Sequence, residues 1–143
     1  MKTPFFYILF FFIYNGFCQK DNKIDINFKI IDTTSNVETK KEILQDLLSA
    51  MKVRGIKAFY YEKAIKEAIS IEKYDLAFQF AIKSYIYINH SPSEKKKVMT
   101  LYDSIEKFTN KLNDKSLVGS IYRNKGYYYL NNRDFKKSIK NFS

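Results

Sequence analysis

Apolar residues recur at three- and four-residue spacing from Thr39 to the end of the chain, and this pattern limits the fold more than any other feature. Such spacing places apolar side chains on one face of an α-helix, whereas a strand requires strict alternation. The pattern predicts six helices, which begin near Thr39, Ile56, Asp75, Ser91, Asp114 and Phe135. A chain of 143 residues buries enough surface to support one such core. We therefore predict an all-α fold.

Two of the predicted helices carry recognisable start signals. Thr39 and Glu42 have the spacing of a capping box, in which the hydroxyl and the carboxylate each bind a free backbone N–H group. Ser91 and Glu94 have the same capping-box spacing. Pro92, directly after Ser91, occupies the first helical position, where proline is common. These signals predict that Thr39 and Ser91 cap their helices.

Residues 1–18 differ sharply from the rest of the chain. Lys2 precedes an apolar run that extends to Phe17, and Gly16 and Cys18 occupy the −3 and −1 positions of a cleavage site. A basic start, a short apolar run and small residues at the exit are typical of a secretory signal peptide. The run is shorter than the roughly 20 residues of a membrane-spanning helix. We therefore predict a signal peptide over residues 1–18 and an exported, extracytoplasmic protein.

Three other interpretations of this segment stay open. They are a retained membrane anchor, a buried N-terminal segment of a cytosolic protein, and attachment of a lipid to Cys18. Lipid attachment is disfavoured, because Phe17 precedes the cysteine where a small residue is usual and Asn15 stands where an aliphatic residue is usual.

In the next segment, residues 19–38, apolar and polar residues alternate over residues 19–34. Ile24, Ile26, Phe28 and Ile30 recur at every second position, which would suit one short strand. A single strand has no ladder partner here, so we predict an extended or mobile leader. The leader is followed by the helical domain, and residues 19–143 contain no predicted integral membrane segment.

The sequence offers little catalytic chemistry. Without residues 1–18 the chain has no Cys, and His90 is its single His. We find neither a glycine-rich phosphate loop nor a nucleophile elbow, and we expect no enzymatic activity, cofactor or metal site. The net charge of +10 comes from lysines spread along the chain, which is typical of solvated helix faces. We therefore expect no nucleic-acid binding; an anionic surface or an acidic peptide fits the charge better.

Two segments share a pattern of aromatic and small residues. The pattern consists of Tyr122, Gly126, Tyr129, Phe135, Ser138 and Phe142 in one copy and of Tyr61, Ala64, Tyr74, Ala77 and Ala81 in the other. It resembles the tetratricopeptide repeat, with Lys125 in place of the usual Leu. The copies are 61 residues apart, so the helix that starts at Ser91 lies between them or the repeats are irregular. The alternative is an ordinary helical bundle with chance spacing.

The resemblance covers roughly residues 56–143 and implies antiparallel helix hairpins stacked as a right-handed solenoid. In this family the first helix of each pair lines a concave groove. Carried onto this chain, the groove residues are Ser120, Arg123 and Tyr127 in one copy and Glu62 and Lys66 in the other. The sixth predicted helix has no C-cap and no covering helix, so we expect the repeat domain, residues 39–143, to be truncated.

These features predict an exported protein–protein interaction module that binds a protein or peptide in a concave helical groove. An alternative is the N-terminal extracytoplasmic sensor region of a larger membrane-bound signalling protein, such as a histidine kinase or a transcriptional regulator. A third hypothesis is a small helical carrier of an apolar ligand, which would require an enclosed cavity.

Overall fold

A computed structural model describes residues 23–52, 54–88 and 91–143 of the chain. These residues are almost entirely helical, apart from short connections and an isolated parallel bridge between Ile56 and Ile88. The elements are α1 (residues 23–33), α2 (Val37–Ala50), α3 (Ala58–Ser70), α4 (Tyr74–Tyr87), α5 (Pro92–Ile105), a 3₁₀ helix (Glu106–Lys111), α6 (Ser116–Asn131) and α7 (Phe135–Phe142). The predicted all-α fold is confirmed. The predicted signal peptide, residues 1–18, and His90 lie outside the described residues.

The segment predicted to be an extended or mobile leader, residues 19–38, contains a helix instead. Residues 23–33 form α1, with Ile24, Phe28 and Ile31 buried at four- and three-residue spacing. Alternate positions along a chain include every fourth one, so the same apolar pattern suits one face of a helix. The prediction was wrong because it counted Ile26 and Ile30, which the helix leaves exposed.

The start of α2 also differs from the prediction. The helix begins at Val37, and the backbone N–H of Thr39 donates to Oδ1 of Asn36 at 2.9 Å. Asn36 therefore caps the helix, while Thr39 lies within its first turn. At α5 the predicted cap is confirmed, because Ser91 Oγ accepts a hydrogen bond from the backbone N–H of Glu94 at 3.3 Å.

By its internal contacts the chain divides into two compact units, Met1–Ala50 and Met51–Ser143. The first contains α1 and α2, and Leu44 and Leu47 are the buried side chains of α2. The second contains α3 to α7. Within it, α3 and α4 form one hairpin, α6 and α7 form another, α4 contacts α6, and α5 packs on both α3 and α4.

The two hairpins of the second unit turn in the same way. The central loop residues, Glu72 and Arg133, have φ angles of 58° and 60°, a left-handed conformation that non-glycine residues seldom adopt. Their N–H groups donate to Ile69 O and Leu130 O at 3.0 Å, and the following N–H groups, of Lys73 and Asp134, donate to Ala68 O at 2.8 Å and Tyr129 O at 2.9 Å. Glu72 and Arg133 are 61 residues apart, and so are Lys73 and Asp134. The offset seen in the sequence therefore also holds for the backbone hydrogen bonds of the two loops.

None of the helices that the structure describes combines the length and the apolar character of a membrane-spanning segment.

Candidate partner-binding groove

The residues predicted to pack within the repeats fall into three classes of exposure. Tyr61, Ala64, Ala77, Ala81, Gly126 and Ser138 are buried, Tyr74 and Tyr129 are half-buried, and Tyr122, Phe135 and Phe142 are exposed. The hairpin α3–α4 is thus packed more completely than α6–α7. The structure therefore buries six of these residues, whereas the sequence pattern did not indicate that Tyr122, Phe135 and Phe142 would be exposed.

Small residues bring α6 and α7 close together. Ser138 Oγ donates a hydrogen bond to the carbonyl oxygen of Gly126 at 3.1 Å, and both residues are buried. A Cβ atom at position 126 would lie only 2.6 Å from Cε1 of Phe142. The Phe142 ring therefore occupies the space that the missing side chain leaves.

Two buried tyrosines use their hydroxyl groups to join elements of this unit. The Tyr61 hydroxyl donates to the carbonyl oxygen of Met51 at 2.7 Å. The Tyr102 hydroxyl of α5 accepts a hydrogen bond from Nδ2 of Asn124 on α6 at 2.9 Å. Burial raises the pKa of both hydroxyls well above its usual value. These tyrosines remain neutral hydrogen-bonding groups and fix the helices that carry them.

A groove of about 340 Å³ lies between α3 on one side and α5 with the following 3₁₀ helix on the other. Its lining residues are Glu62, Ile65, Lys66 and Ile69 from α3 and Thr100, Leu101, Ser104, Lys107 and Phe108 from α5 and the 3₁₀ helix. Ile65 and Leu101 are buried, whereas Ile69 and Phe108 remain partly accessible. The groove therefore has an apolar floor that is open to solvent.

Both residues predicted for partner binding in the first repeat copy line this groove. Lys66 Nζ lies 2.7 Å from Oε1 of Glu62, and the two side chains are 72% and 44% exposed. On the α5 side, Lys107 Nζ lies 5.1 Å from the centre of the Phe108 ring. Exposed ion pairs of this kind contribute roughly 0–1 kcal/mol, so a partner can replace the contact between Glu62 and Lys66 at little cost.

The residues predicted for partner binding in the second copy lie elsewhere in the unit, on α6. Arg123 lines a separate pocket of about 670 Å³, together with Gly119, Tyr122, Lys140, Asn141, Phe142 and Ser143. Arg123 Nη2 is 3.5 Å from Ser120 Oγ, and the Tyr127 ring lies 5.4 Å from the Phe142 ring. The five predicted partner-binding residues are thus divided between a groove on α3 and a surface on α6.

Glu94 holds the two walls of the groove together. Its Oε2 atom accepts the backbone N–H of Ala58, the first residue of α3, at 2.7 Å. The hydrogen bond from Lys97 and then the one from Ala58 hold the pKa of Glu94 below its usual value. The sequence predicted that this carboxylate serves its own helix, but it caps a neighbouring one. Only the three-dimensional placement of α5 beside α3 reveals this role.

The buried side chain of Lys125 forms two ion pairs that join α6 to α5 and to the 3₁₀ helix, and the sequence interpretation missed them. Lys125 Nζ lies 2.7 Å from Oδ1 of Asp103 and 2.5 Å from Oε1 of Glu106. Burial lowers the pKa of Lys125, but the hydrogen bonds to the two carboxylates outweigh that effect and raise it overall. Asp103 and Glu106 are three residues apart, and the lysine replaces an apolar residue of the repeat pattern. A lysine at a position that is usually apolar, together with two carboxylates three residues apart, was the sequence signal from which this contact could have been predicted.

The described residues contain no group of three or more His, Cys, Asp and Glu side chains that could hold a metal ion. In comparisons with known proteins, no family model matches the chain, and no curated protein or solved structure is significantly similar to it.

Proposed function

We propose that this chain is an exported, tetratricopeptide-like module that binds a partner protein or peptide in the groove between α3 and α5. The observation that carries the proposal is the groove itself, with an apolar floor and charged residues at its rim. Apolar side chains of a partner would replace water over Ile69 and Phe108. Lys66 and Lys107 would attract partner carboxylates to the rim.

Two observations support the repeat-like part of the proposal. The hairpin loops share one backbone hydrogen-bonding pattern at a constant offset of 61 residues. The small residues of the pattern also lie at close helix contacts, as at Gly126 and Ser138. Support for export comes from the sequence of residues 1–18, which has the basic start, the apolar run and the small exit residues of a signal peptide.

Site-specific photo-crosslinking in the native cells tests the groove. A photoreactive amino acid would replace Lys66 or Lys107, on opposite walls, and Lys96, an exposed α5 residue outside the groove, in the control. We expect the two groove positions to give an adduct with the same partner and the control position to give none. Adducts of equal yield at all three positions, or none at any, would overturn the proposal.

Export is tested with the native chain carrying a C-terminal affinity tag. We expect the mature product in an extracytoplasmic fraction, with Gln19 as its first residue by mass spectrometry. A cytosolic product that retains residues 1–18 would contradict the export part of the proposal. The crosslinking experiment would still test partner binding in the groove independently.

A further inference from the structure

The lysines are spread along the chain, but the net charge is not. Met1–Ala50 contains six Lys against six Asp or Glu, whereas Met51–Ser143 contains 19 Lys or Arg against nine Asp or Glu. The first unit is therefore neutral by sequence, and the second carries the entire net charge of +10. The structure shows where in the second unit this charge accumulates.

Three segments meet at one end of the second unit. The Gly55 N–H donates to Tyr87 O at 2.9 Å, which joins the connection before α3 to the end of α4. Glu94 Oε2 accepts the Ala58 N–H at 2.7 Å, which joins the start of α5 to the start of α3. The segments are residues 52 and 54–59, residues 83–88 and residues 91–97, and together they are named the basic end.

The basic end carries seven Lys or Arg and one carboxylate, a net charge of +6. The carboxylate, Glu94, is already engaged, because it also accepts a hydrogen bond from Lys97 Nζ at 2.6 Å. Burial, and then the positive charge of Lys52, lower the pKa of Lys83. Five of the cations are exposed, namely Lys52, Arg54, Lys57, Lys96 and Lys97. More than half of the net charge of the unit thus lies in one place, where like charges repel and an anionic surface would relieve the repulsion.

Two exposed apolar side chains lie at the same end. Phe59, in the first turn of α3, is 62% exposed, and Ile86, in the last turn of α4, is 49% exposed. Apolar side chains among cations are typical of surfaces that bind the headgroup region of an anionic bilayer. Single-stranded nucleic acid also binds cations and aromatic rings, but the aliphatic Ile86 offers no stacking surface.

We propose that the basic end docks on the surface of a bilayer that contains anionic phospholipids. Its Lys and Arg side chains contact the lipid phosphates, while Phe59 and Ile86 enter the boundary between headgroups and acyl chains. Lipid phosphates are laterally mobile, so they can pair with cations from three segments at once, whereas an acidic protein needs carboxylates at matching positions.

This surface is distinct from the groove between α3 and α5. The groove is lined by residues farther along the same helices, 62–69 and 100–108. The inference therefore goes beyond the proposed function and does not rest on it.

Vesicle co-sedimentation tests the proposal with the chain purified from the native cells. One set of vesicles contains phosphatidylcholine alone, and the other contains equal parts of phosphatidylcholine and phosphatidylglycerol. The neutral vesicles also measure any binding through the apolar run of residues 1–18. We expect binding to the anionic vesicles to be at least ~10-fold tighter at ~0.1 M salt. Most of this preference should disappear at ~1 M salt, where the Debye length falls from about 10 Å to about 3 Å.

A charge variant with a matched control locates the binding surface. The variant replaces one Arg and two Lys of the basic end, as Lys52→Gln, Arg54→Gln and Lys57→Gln. The control removes the same three charges from exposed positions of the hairpin α6–α7, as Arg133→Gln, Lys136→Gln and Lys140→Gln. Each cation that contacts an anionic membrane contributes roughly fivefold to binding, so we expect the variant to bind the anionic vesicles at least ~20-fold more weakly. The control should bind within ~3-fold of the native chain.

Insertion of Phe59 has a direct readout, because the chain contains no Trp. Phe59→Trp supplies a single fluorophore, whose emission should shift to shorter wavelength when anionic vesicles are added. Phe135→Trp, at an apolar side chain that is 59% exposed on α7, is the matched control and should show no shift. Since all the substituted side chains are exposed, the helical circular dichroism of every variant should match that of the native chain.

Three results would overturn the proposal. One is equal binding to the neutral and the anionic vesicles. Another is an equal loss of binding in the charge variant and its control, which would mean that only net charge matters. The third is an unshifted Phe59→Trp spectrum together with binding of a poly-glutamate peptide that the charge variant abolishes, which would assign the basic end to an acidic protein.

Discussion

At the residue scale, Gly126 controls how closely α6 and α7 approach. The Phe142 ring fills the position that a side chain at 126 would need, and it also packs edge-on against the Tyr127 ring at 5.4 Å. Phe142 is 49% exposed, so the ring can turn outward if it is displaced. A side chain at position 126 therefore has two opposing effects on stability. It raises the helix propensity of α6, but it displaces the Phe142 ring from its contact with Tyr127.

A double-mutant cycle tests this balance. Alanine within a helix is favoured over glycine by about 1 kcal/mol, but in the native chain Gly126→Ala must displace the Phe142 ring. We expect Gly126→Ala to be at least ~1 kcal/mol less favourable in the native chain than in the Phe142→Ala background, by urea unfolding. Equal effects in the two backgrounds would show that the ring does not restrict this position.

Lys125 illustrates a buried charge that depends on its partners. Its side chain is 9% exposed, while those of Asp103 and Glu106 are 63% and 31% exposed. Lys125→Met leaves two carboxylates that water can solvate, so we expect a loss of about 1 kcal/mol in the free energy of unfolding. Asp103→Asn combined with Glu106→Gln leaves the ammonium group buried without a countercharge, and we expect that to cost about 2 kcal/mol.

Urea unfolding at neutral pH compares these variants. Combining all three substitutions should recover part of the loss, because no unpaired charge then remains. The contrary result would be a larger loss in the free energy of unfolding for Lys125→Met than for Asp103→Asn combined with Glu106→Gln. That result would show that desolvation of the ammonium group is not the dominant effect.

At the scale of elements, helical periodicity predicted α2 to α7 well, because each of them buries one face. The boundaries were less predictable where two signals competed. Thr39 and Glu42 fit a capping box, yet Asn36 caps the helix three residues earlier. In α1, one apolar pattern suited both a strand and a helix, and helical burial of Ile24, Phe28 and Ile31 decided between them.

Glu94 links two elements, and the link depends on pH. The carboxylate accepts the Ala58 N–H at the start of α3, and its pKa is lowered in the folded chain from the ordinary value of 4.5. The ionised form therefore favours folding above pH 4.5, and this stabilisation is lost as the pH falls through the lower, folded pKa. We expect Glu94→Gln to reduce stability by about 1 kcal/mol at pH 7 and by progressively less below pH 4.5.

The measurement is urea unfolding of the native chain and the variant from pH 7 to pH 3, with Glu72→Gln as the control on an exposed loop carboxylate. A stability difference between the native chain and Glu94→Gln that stays constant across this range would mean that the charge of Glu94 does not contribute.

At the scale of the whole molecule, the sequence predicted hairpins but not how they combine into surfaces. Glu62 and Lys66, which the sequence predicted for partner binding, lie on an open face of α3 and line the groove; their role in binding a partner stays a prediction. The other wall of the groove comes from α5, with Leu101, and from the 3₁₀ helix, with Phe108. The repeat pattern treated this part of the chain only as a spacer. Its position depends on tertiary contacts such as that of Glu94, which local patterns do not encode.

The contacts of the second unit lead to a prediction for the chain as a whole. The described residues of the unit Met51–Ser143 form five α-helices and a 3₁₀ helix. These elements are joined by the Tyr61–Met51 and Tyr102–Asn124 hydrogen bonds and by the Lys125 ion pairs. We therefore expect a fragment of residues 51–143 to fold alone, with a helical circular dichroism spectrum and one cooperative urea transition. As an internal control, Tyr102→Phe should lower the transition midpoint of the fragment and of the full chain equally, since it leaves Asn124 without its acceptor. A fragment that is unfolded, or that unfolds without cooperativity, would show that this core requires residues 1–50.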